Sequence, residues 1–416
     1  MRFLHLADLH IGKSIYGTNL IDSDDQKVWV ERFLQQVREL KPEAVVIAGD
    51  VYDRGLPPGR AALMLSTLVT ELAEMDIYVL ITAGNHDSIH HLSFLRSLLE
   101  TRKVYISRPM EQGPELVHLS LKDEYGPVTF WLLPYVYPAM IAQVLQDESI
   151  KDYDTAVRRI LAAQPVDFKQ RNVLIAHQNV TANGQEIQRG GSESMVGGVG
   201  QVDYTAFDGF DYVALGHIHS SYAVGRDTVR YAGSPLAYHY NETKQPVKGP
   251  LLVIMPEKDG KIIIERQEIE PLHRMREIRD SYDRIREQFV SSPCRNEYLK
   301  VVLTDQRISP MISDFIHENA KALGSTVLEL TSEYNAFTGE AELTATKEIH
   351  EKPIEALFAD FYRERNNGTE ADAAELELMA KIGEMTRNAP VGQARPDDKD
   401  FQTILDFVLR QEVDGE

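Results

Sequence analysis

The 416-residue sequence contains a single cysteine, Cys294, which rules out a disulfide framework. One isolated thiol is typical of a protein kept in a reducing compartment. No run of about eighteen consecutive apolar residues occurs, so no transmembrane helix is predicted. The residues after Met1 lead directly into an apolar strand and not into a signal peptide. We therefore expect a cytoplasmic protein.

Positive charge is also scarce. The chain has 44 basic and 64 acidic residues, and its formal net charge is −20. Because nucleic-acid-binding proteins usually carry a basic face, this balance taken alone argues against a polyanionic substrate. Bound divalent cations would reverse the sign of the local field, and a local basic groove is compatible with a negative total. The net charge limits non-specific binding without excluding nucleic acid.

Length and composition indicate a globular chain with more than one domain. Hydrophobic residues make up 43% of the sequence and charged residues 26%. A chain of this length is too long for one ordinary hydrophobic core. We expect two domains and an appendage.

Polar residues directly follow five short apolar stretches. The stretches are 3–7, 44–48, 77–81, 173–176 and 212–215, and the polar residues near their ends are Asp8, His10, Asp50, Asn85, His86, His177, His217 and His219. Helical periodicity over 25–40 and 58–75 separates the first three stretches, which predicts parallel strands with right-handed crossovers. Parallel strands end at one edge of a sheet, so the sequence predicts a site there.

The chemistry of these side chains favours a pair of metal ions. Imidazole, carboxylate and amide ligands without thiolate suit Mn, Fe, Zn or Mg more than a structural zinc site. Seven candidate ligands are too many for one ion. Two ions about 3.5 to 4 Å apart, bridged by one carboxylate, would use them all, polarise a phosphoryl group and activate water.

The rest of the chain predicts a second sheet, a small domain and a helical tail. Short strands near 229–232, 251–255 and 261–267 predict a second, largely antiparallel sheet packed on the first. A β-α-β unit is expected within 275–345. Amphipathic helices beyond 353, with a linker near 388–400, carry apolar faces that suggest a partner protein. The Gly- and Ser-rich stretch 184–200 is predicted to be a mobile loop over the site.

Five ordered motifs resemble those of the calcineurin-like metallophosphoesterases. They are Asp8-x-His10, Gly49-Asp50-x-x-Asp53, Gly84-Asn85-His86-Asp87, the lone His177 and Gly216-His217-x-His219. Within this superfamily, residues 1–270 are similar to the nuclease subunits of bacterial double-strand-break repair complexes. The resemblance implies an α/β fold, a two-sheet β-sandwich flanked by helices, with a DNA-contacting β-α-β capping domain over 275–345. It also implies a helical C-terminal tail over 346–416 that binds an SMC-like ATPase.

The same resemblance implies a role for each motif residue. One ion would be held by Asp8, His10, Asp50 and His219. The other would be held by Asp50, Asn85, His177 and His217. Asp50 would bridge the two ions, with Mn preferred and Mg possible. His86 would contact the phosphate and stabilise or protonate the leaving oxygen. Asp87 would orient His86, and Asp53 would support the ligands from behind.

The implied activity is a DNA nuclease that acts as an exonuclease on duplex ends and an endonuclease on single strands and hairpins, in DNA repair, recombination and replication. A homodimer is implied as well. Two alternatives stay open: a small-molecule phosphodiesterase or phosphatase on the same scaffold, and an inactive DNA-end-binding scaffold. The extra C-terminal domains argue against the first, and the intact set of ligands argues against the second.

Several other residues receive simpler interpretations. His5 alternates within the first strand and is expected to be a hydrogen-bonded core histidine, and His90 and His91 are expected to begin a helix. Residues 7–14 loosely fit a phosphate-binding loop, but a carboxylate at Asp8 would face the phosphates, so no ATP site is predicted. Solvated surface charge is the expected state of the cations Lys13, Arg54 and Arg189.

Overall fold

The computed structural model describes residues 1–182, 200–244, 248–291 and 295–334, with isolated helical positions between 356 and 380. The chain divides into two compact units, Met1–Glu333 and Tyr334–Glu416. Residues 183–199 of the predicted mobile loop, the end of the predicted capping domain and nearly all of the predicted tail and linker lie outside the described residues. In the second unit, Phe358 and Tyr362 are helical, and their rings are 5.7 Å apart.

The first unit contains short strands and helices in alternation. The strands are β1 (Arg2–Leu6), β2 (Ser14–Ile15), β3 (Thr18–Asn19), β4 (Ala44–Ala48), β5 (Tyr78–Thr82), β6 (Val104–Ile106), β7 (Val117–Asp123), β8 (Gly126–Leu133), β9 (Arg171–His177), β10 (Asn179–Thr181), β11 (Gln201–Asp203), β12 (Tyr212–Gly216), β13 (Ala223–Val224), β14 (Arg226–Tyr231), β15 (Leu251–Ile254), β16 (Ile263–Arg266), β17 (Arg274–Asp280), β18 (Glu297–Leu303) and β19 (Thr326–Ser332). The helices are α1 (Asp25–Leu40), α2 (Gly59–Glu74), α3 (Ile89–Leu92), α4 (Arg96–Glu100), α5 (Pro138–Leu145), α6 (Tyr153–Ala162), α7 (Tyr282–Ser291) and α8 (Pro310–Ala322).

Two six-stranded sheets form the centre of this unit. The first has the strand order β16-β15-β1-β4-β5-β6, and its strands β1, β4, β5 and β6 are parallel. The second has the order β13-β14-β12-β9-β8-β7, with β8, β9, β12 and β14 parallel. The predicted parallel arrangement of the first three strands is confirmed.

The predicted composition of the second sheet is wrong. Strands β15 and β16 extend the first sheet, where β15 runs antiparallel to β1. Strand β14 does belong to the second sheet, but it lies parallel to β12. The sequence pattern located these strands correctly but carried no information on pairing, because an edge strand can add to a sheet in either direction.

Alternation of side chains along the strands builds a four-layer core. On β1 and β4, Leu4 and Val45 face helices α1 and α2, while Phe3 and Val46 face the second sheet. The outer face of the second sheet packs its own apolar side chains against α5 and α6. Both central sheets are therefore covered on both faces, as parallel sheets require. The predicted sandwich flanked by helices is confirmed.

Helices α1 and α2 occupy the predicted ranges to within one residue at each end. Trp29, Phe33 and Val37 of α1 are buried at helical spacing against the sheet. The helix predicted near 91–99 is instead two short helices, α3 and α4, with Ser88 capping α3 at its N-terminus. Of the helices in the described part of the chain, none is long and apolar enough to cross a membrane.

The β-α-β unit is confirmed and is larger than predicted. Strands β17, β18 and β19 form a parallel three-stranded sheet, with α7 and α8 as the crossovers. Strand β17 escaped detection because its sequence, Arg-Met-Arg-Glu-Ile-Arg-Asp, has only Ile278 buried. The sheet contacts the start of α1, where the Tyr298 hydroxyl donates a 2.6 Å hydrogen bond to the buried Asp25 carboxylate.

Candidate metal centre

The predicted site lies where strands of both sheets end. Loops after β1, β4 and β5 come from the first sheet, and those after β9 and β12 come from the second. Backbone strain is concentrated in them, since φ is 53° at Asp8, 41° at His10, 48° at Asp50 and 104° at His217. Non-glycine residues with positive φ cost about 1 to 3 kcal/mol each and cluster at functional sites.

Close packing between the sheets brings the loops together. A Cβ atom placed on Gly216, at the end of β12, would lie 1.8 Å from the carbonyl oxygen of Ala48 at the end of β4. One placed on Gly84 would lie 2.1 Å from Oδ1 of Asp50. Glycine at these two positions lets a strand end and a loop approach their neighbours directly.

The first cluster contains Asp8, His10 and His219, all buried. Nε2 of His10 lies 3.2 Å from Nε2 of His219. The Asp8 Oδ1 atom accepts the backbone N–H of His217 at 2.9 Å, whereas its Oδ2 atom is buried and, within the described residues, has no hydrogen-bond partner. Two imidazole nitrogens and a carboxylate oxygen thus converge.

Asp50 connects this cluster to a second one. Its Oδ2 atom lies 3.6 Å from Nε2 of His10 and 3.2 Å from Nε2 of His177. Its Oδ1 atom accepts the backbone N–H of His86 at 2.9 Å. One carboxylate oxygen therefore faces a histidine from each sheet, the position that a bridging ligand requires.

The second cluster contains an amide oxygen between two imidazole rings. Oδ1 of Asn85 lies 3.1 Å from Nε2 of His177 and 3.1 Å from Nδ1 of His217. The other ring nitrogen of His177, Nδ1, donates to the carbonyl of Ala48 at 2.8 Å. This hydrogen bond directs Nε2 toward the cluster. The structure thus brings all seven predicted ligands together.

The donor set fits divalent cations. The Oδ2 atom of Asp8, unpartnered among the described residues, and the facing nitrogens of His10 and His219 leave electron pairs pointing at one another, which a cation between them would satisfy. Three groups of side chains have the spacing for an ion: Asp8, His10 and His219; His10, Asp50 and His86; and Asp8, Asp50 and His177. Metal use in the clusters is consistent with this chemistry.

Ionisation in the clusters attracts positive charge. Burial raises the pKa of Asp8 to about 6 and lowers the pKa of His10 to about 4, which keeps the imidazole lone pair of His10 available. Burial also opposes ionisation of Asp50, but His177, His10 and His86 outweigh it and hold the pKa of Asp50 well below its ordinary value. For His177, burial lowers the pKa, yet the nearby Asp50 and Asp8 raise it to about 9.

His86 lies beside the clusters with its ring half-buried. Its Nδ1 donates to the backbone carbonyl of Asp53 at 3.1 Å, and its ring packs edge-on to His10 with centroids 4.8 Å apart. Because Nδ1 is occupied by this carbonyl, Nε2 is the nitrogen with which the ring would reach a substrate.

Asp87 and Asp53 support different parts of the site. The Asp87 carboxylate accepts three backbone N–H groups, from Val51, Tyr52 and Gly84, at 2.9 to 3.1 Å. It therefore fixes the loops after β4 and β5, and the contact that orients the His86 ring comes from the Asp53 carbonyl instead. The side chain of Asp53 lies 3.4 Å from Nδ1 of His10.

Two of the simpler interpretations can be compared with the structure. The buried His5 hydrogen-bonds to the hydroxyl of Tyr212 at 3.0 Å and to the carbonyl of Leu215 at 3.2 Å, so the core-histidine interpretation is confirmed. Solvated charge is the wrong interpretation for Lys13, whose side chain is 13% exposed and pairs with Asp53 at 2.9 Å. Arg54, at 76% exposure, is solvated as expected, and Arg189 lies outside the described residues.

Three further residues around the site carry no signal in the sequence. Glu242 is buried, with its Oε1 atom 3.5 Å from Nδ1 of His219 and its Oε2 atom 2.7 Å from Nζ of Lys248. Burial opposes its ionisation, but Lys248 and His219 hold the pKa of Glu242 far below its ordinary value. The Tyr238 hydroxyl donates to the carbonyl of Leu9 at 2.7 Å. These residues lie in the connection after β14, far from any ligand motif, so only folding reveals them.

Comparison with known proteins agrees with this geometry. The profile of the calcineurin-like phosphoesterase family matches residues 1–221. A second profile, described as the type 5 capsule protein repressor C-terminal domain, matches residues 271–366. A protein of Staphylococcus epidermidis, named as the D-type subunit of the nuclease SbcCD, is 26% identical over 370 residues, which cover 87% of this chain and 93% of that protein.

The first profile covers more than half of the sequence and all seven predicted ligands. The chain belongs to the calcineurin-like phosphoesterase family, whose members are metal-dependent phosphoester hydrolases. Its similarity to the staphylococcal nuclease subunit extends through the β17–β19 domain and beyond it.

Proposed function

We propose that this protein is a two-metal DNA nuclease that hydrolyses phosphodiesters as the SbcD component of an SbcCD-type complex in DNA repair and recombination. Its activities would be exonuclease cleavage of duplex ends and endonuclease cleavage of single strands and hairpins. The observation that carries the proposal is the Asp50 carboxylate, whose Oδ2 atom faces His10 and His177 at 3.6 and 3.2 Å in a chain that resembles a nuclease subunit along 87% of its length.

In this proposal the ligand assignments follow the two clusters. Asp8, His10, Asp50 and His219 hold one ion, and Asp50, Asn85, His177 and His217 hold the other. Bound ions would polarise the scissile phosphate and activate the attacking water. Because four imidazole nitrogens contribute, Mn²⁺ suits the site better than Mg²⁺, which prefers oxygen ligands.

His86 would act on the leaving group. The Asp53 carbonyl accepts from Nδ1, so a proton on Nε2 of the imidazolium is the one available for transfer to the leaving 3′ or 5′ oxygen. The Asp87 carboxylate, bound to three backbone N–H groups, would keep the loop carrying His86 in register with the loop carrying Asp50.

A homodimer is part of the proposal, and the helix layer supports it. Right-handed crossovers place α2, α3 and α4 side by side on the outer face of the first sheet. Large apolar side chains are exposed there: Leu63 at 68%, Phe94 at 70% and Leu98 at 61%. Apolar side chains exposed on neighbouring helices are typical of a contact between subunits.

The C-terminal residues 346–416 would bind an SbcC-type, SMC-like ATPase, since the sequence offers no ATP site of its own. Residues 275–345 would act as the capping domain that contacts DNA. The single cysteine is consistent with work in the cytoplasm.

The test is digestion of an end-labelled hairpin duplex with Mn²⁺, with and without the ATPase partner. We expect cleavage with the partner, and a loss of about 10² to 10⁴-fold in the His86→Gln variant, which should still bind Mn²⁺ and DNA. Hydrolysis of a nucleotide phosphodiester with intact duplex DNA would favour the small-molecule enzyme instead. DNA-end binding without any hydrolysis would favour the inactive scaffold.

A further inference from the structure

Two of the site's histidines are backed by a carboxylate and a lysine. Nδ1 of His10 faces Asp53 at 3.4 Å, and Asp53 is paired with Lys13 at 2.9 Å. Nδ1 of His219 faces Glu242 at 3.5 Å, and Glu242 is paired with Lys248 at 2.7 Å. Both histidines belong to the cluster with Asp8.

The corresponding atom of His177, in the other cluster, has a neutral partner. Its Nδ1 donates to the backbone carbonyl of Ala48 at 2.8 Å. A carboxylate behind an imidazole makes the ring a stronger donor to a metal than a neutral carbonyl does, because negative charge on one nitrogen's partner raises the basicity of the other nitrogen. The two clusters are therefore built for unequal affinity.

We propose that Glu242, held in place by Lys248, is a positioning residue that orients His219 and makes the Asp8–His10–His219 site the tighter of two metal sites. This inference rests on the two-metal centre proposed above. It concerns a residue pair outside the family's ligand motifs.

The surroundings of Glu242 fix its carboxylate rigidly. The residue is 2% exposed, and Oε2 accepts from the Ser234 hydroxyl at 3.2 Å and from the backbone N–H of Tyr238 at 3.3 Å, in addition to Lys248. With Oε2 held by three donors, Oε1 is left directed at His219. A carboxylate so restrained cannot rotate away from the ring.

Lys248 acts on the backbone of the same histidine. Its ammonium donates to the carbonyl of His219 at 2.9 Å and to the Ser234 hydroxyl at 2.7 Å. The pair thus holds His219 at two points, with Glu242 on the ring and Lys248 on the main chain. The lysine also neutralises the buried carboxylate, which would otherwise be costly to ionise.

The experiment is a calorimetric titration of the metal-free full-length protein with Mn²⁺. Wild type should bind two ions with different affinities. Glu242→Gln keeps the shape and removes the charge, and it should weaken the tighter site by about 10 to 100-fold while the other changes less than about twofold. Glu265→Gln, on the exposed side of β16, is the matched control and should bind as wild type does.

A double-variant cycle separates positioning from general destabilisation. If Glu242 acts through His219, the Glu242→Gln/His219→Asn protein should lose no more affinity at that site than His219→Asn alone. Equal weakening of both sites, or an unchanged Glu242→Gln isotherm, would overturn the inference. A wild-type protein that binds fewer than two ions would instead overturn the proposed centre.

Should Glu242→Gln fail to fold, the wild-type chain still decides. In the Zn²⁺-loaded full-length protein with ¹⁵N-labelled histidine, the His219 ring should carry its proton on Nδ1. A proton on Nε2 of His219 would contradict the proposal.

Discussion

The contact between Gly216 and Ala48 holds the two sheets together directly beneath the candidate metal centre. Replacing Gly216 with alanine would place a Cβ 1.8 Å from the Ala48 oxygen and 2.8 Å from Nδ1 of His177. Ordinary contact begins near 3.4 Å, and the nearest atom is backbone, so the strand ends must separate by more than an ångström. We expect Gly216→Ala to damage both stability and metal binding.

The magnitude follows from two effects. Overpacking a tightly packed interior costs about 1 to 3 kcal/mol. Separation of β4 from β12 also breaks the 2.8 Å hydrogen bond from His177 to Ala48, a loss of about 1 kcal/mol. The free energy of unfolding should therefore fall by about 2 to 4 kcal/mol. Because that hydrogen bond orients His177, Mn²⁺ affinity should fall by about 10 to 100-fold.

Urea unfolding followed by tryptophan fluorescence measures the first quantity. The two tryptophans, Trp29 and Trp131, report on the helix-side core of the first sheet and the outer core of the second. Gly59→Ala is the matched control, because a Cβ on Gly59 at the start of α2 meets nothing within 4 Å. It should be neutral or stabilise by up to about 1 kcal/mol. A Gly216→Ala protein within about 0.5 kcal/mol of wild type and with normal Mn²⁺ binding would refute the close-approach argument.

Three further outcomes are expected. Burial lowers the pKa of His5 to about 3 from 6.5, so the unfolded chain takes up its proton first as the pH falls, and the stability lost between pH 7 and pH 5 should be about 2 kcal/mol greater in wild type than in His5→Gln, as measured by urea titrations at both pH values. Leu63→Glu or Phe94→Glu should convert a dimer to monomers in light-scattering measurements, whereas Met311→Glu, exposed at 72% on α8, should not; dimers in all three would contradict the assigned contact. Deletion of 346–416 should abolish co-purification with the ATPase partner, and retained binding would place that interface elsewhere.

The ligand motifs and the alternating strands and helices could be predicted because each is a local property. Apolar runs of four or five residues, helical periodicity over 25–40 and polar residues at strand ends are all set by neighbours in the chain. Right-handed crossovers then made the edge shared by Asp8 and Asp50 predictable. Strand β17, rich in arginine, lacked any such local signal.

Strand pairing and the support behind the ligands depend on contacts between remote parts of the chain. The partner of β15 depends on which edge of β1 is open, and a sequence pattern does not carry that information. The same holds for the carboxylate behind His219: Glu242 reaches it across 23 residues of chain, and its burial with Lys248 exists only once the loop after β14 folds under the site. Local sequence therefore specifies which groups can hold metal, whereas the packing of two sheets on glycine specifies how those groups are held, because distances between remote residues are set by the whole core.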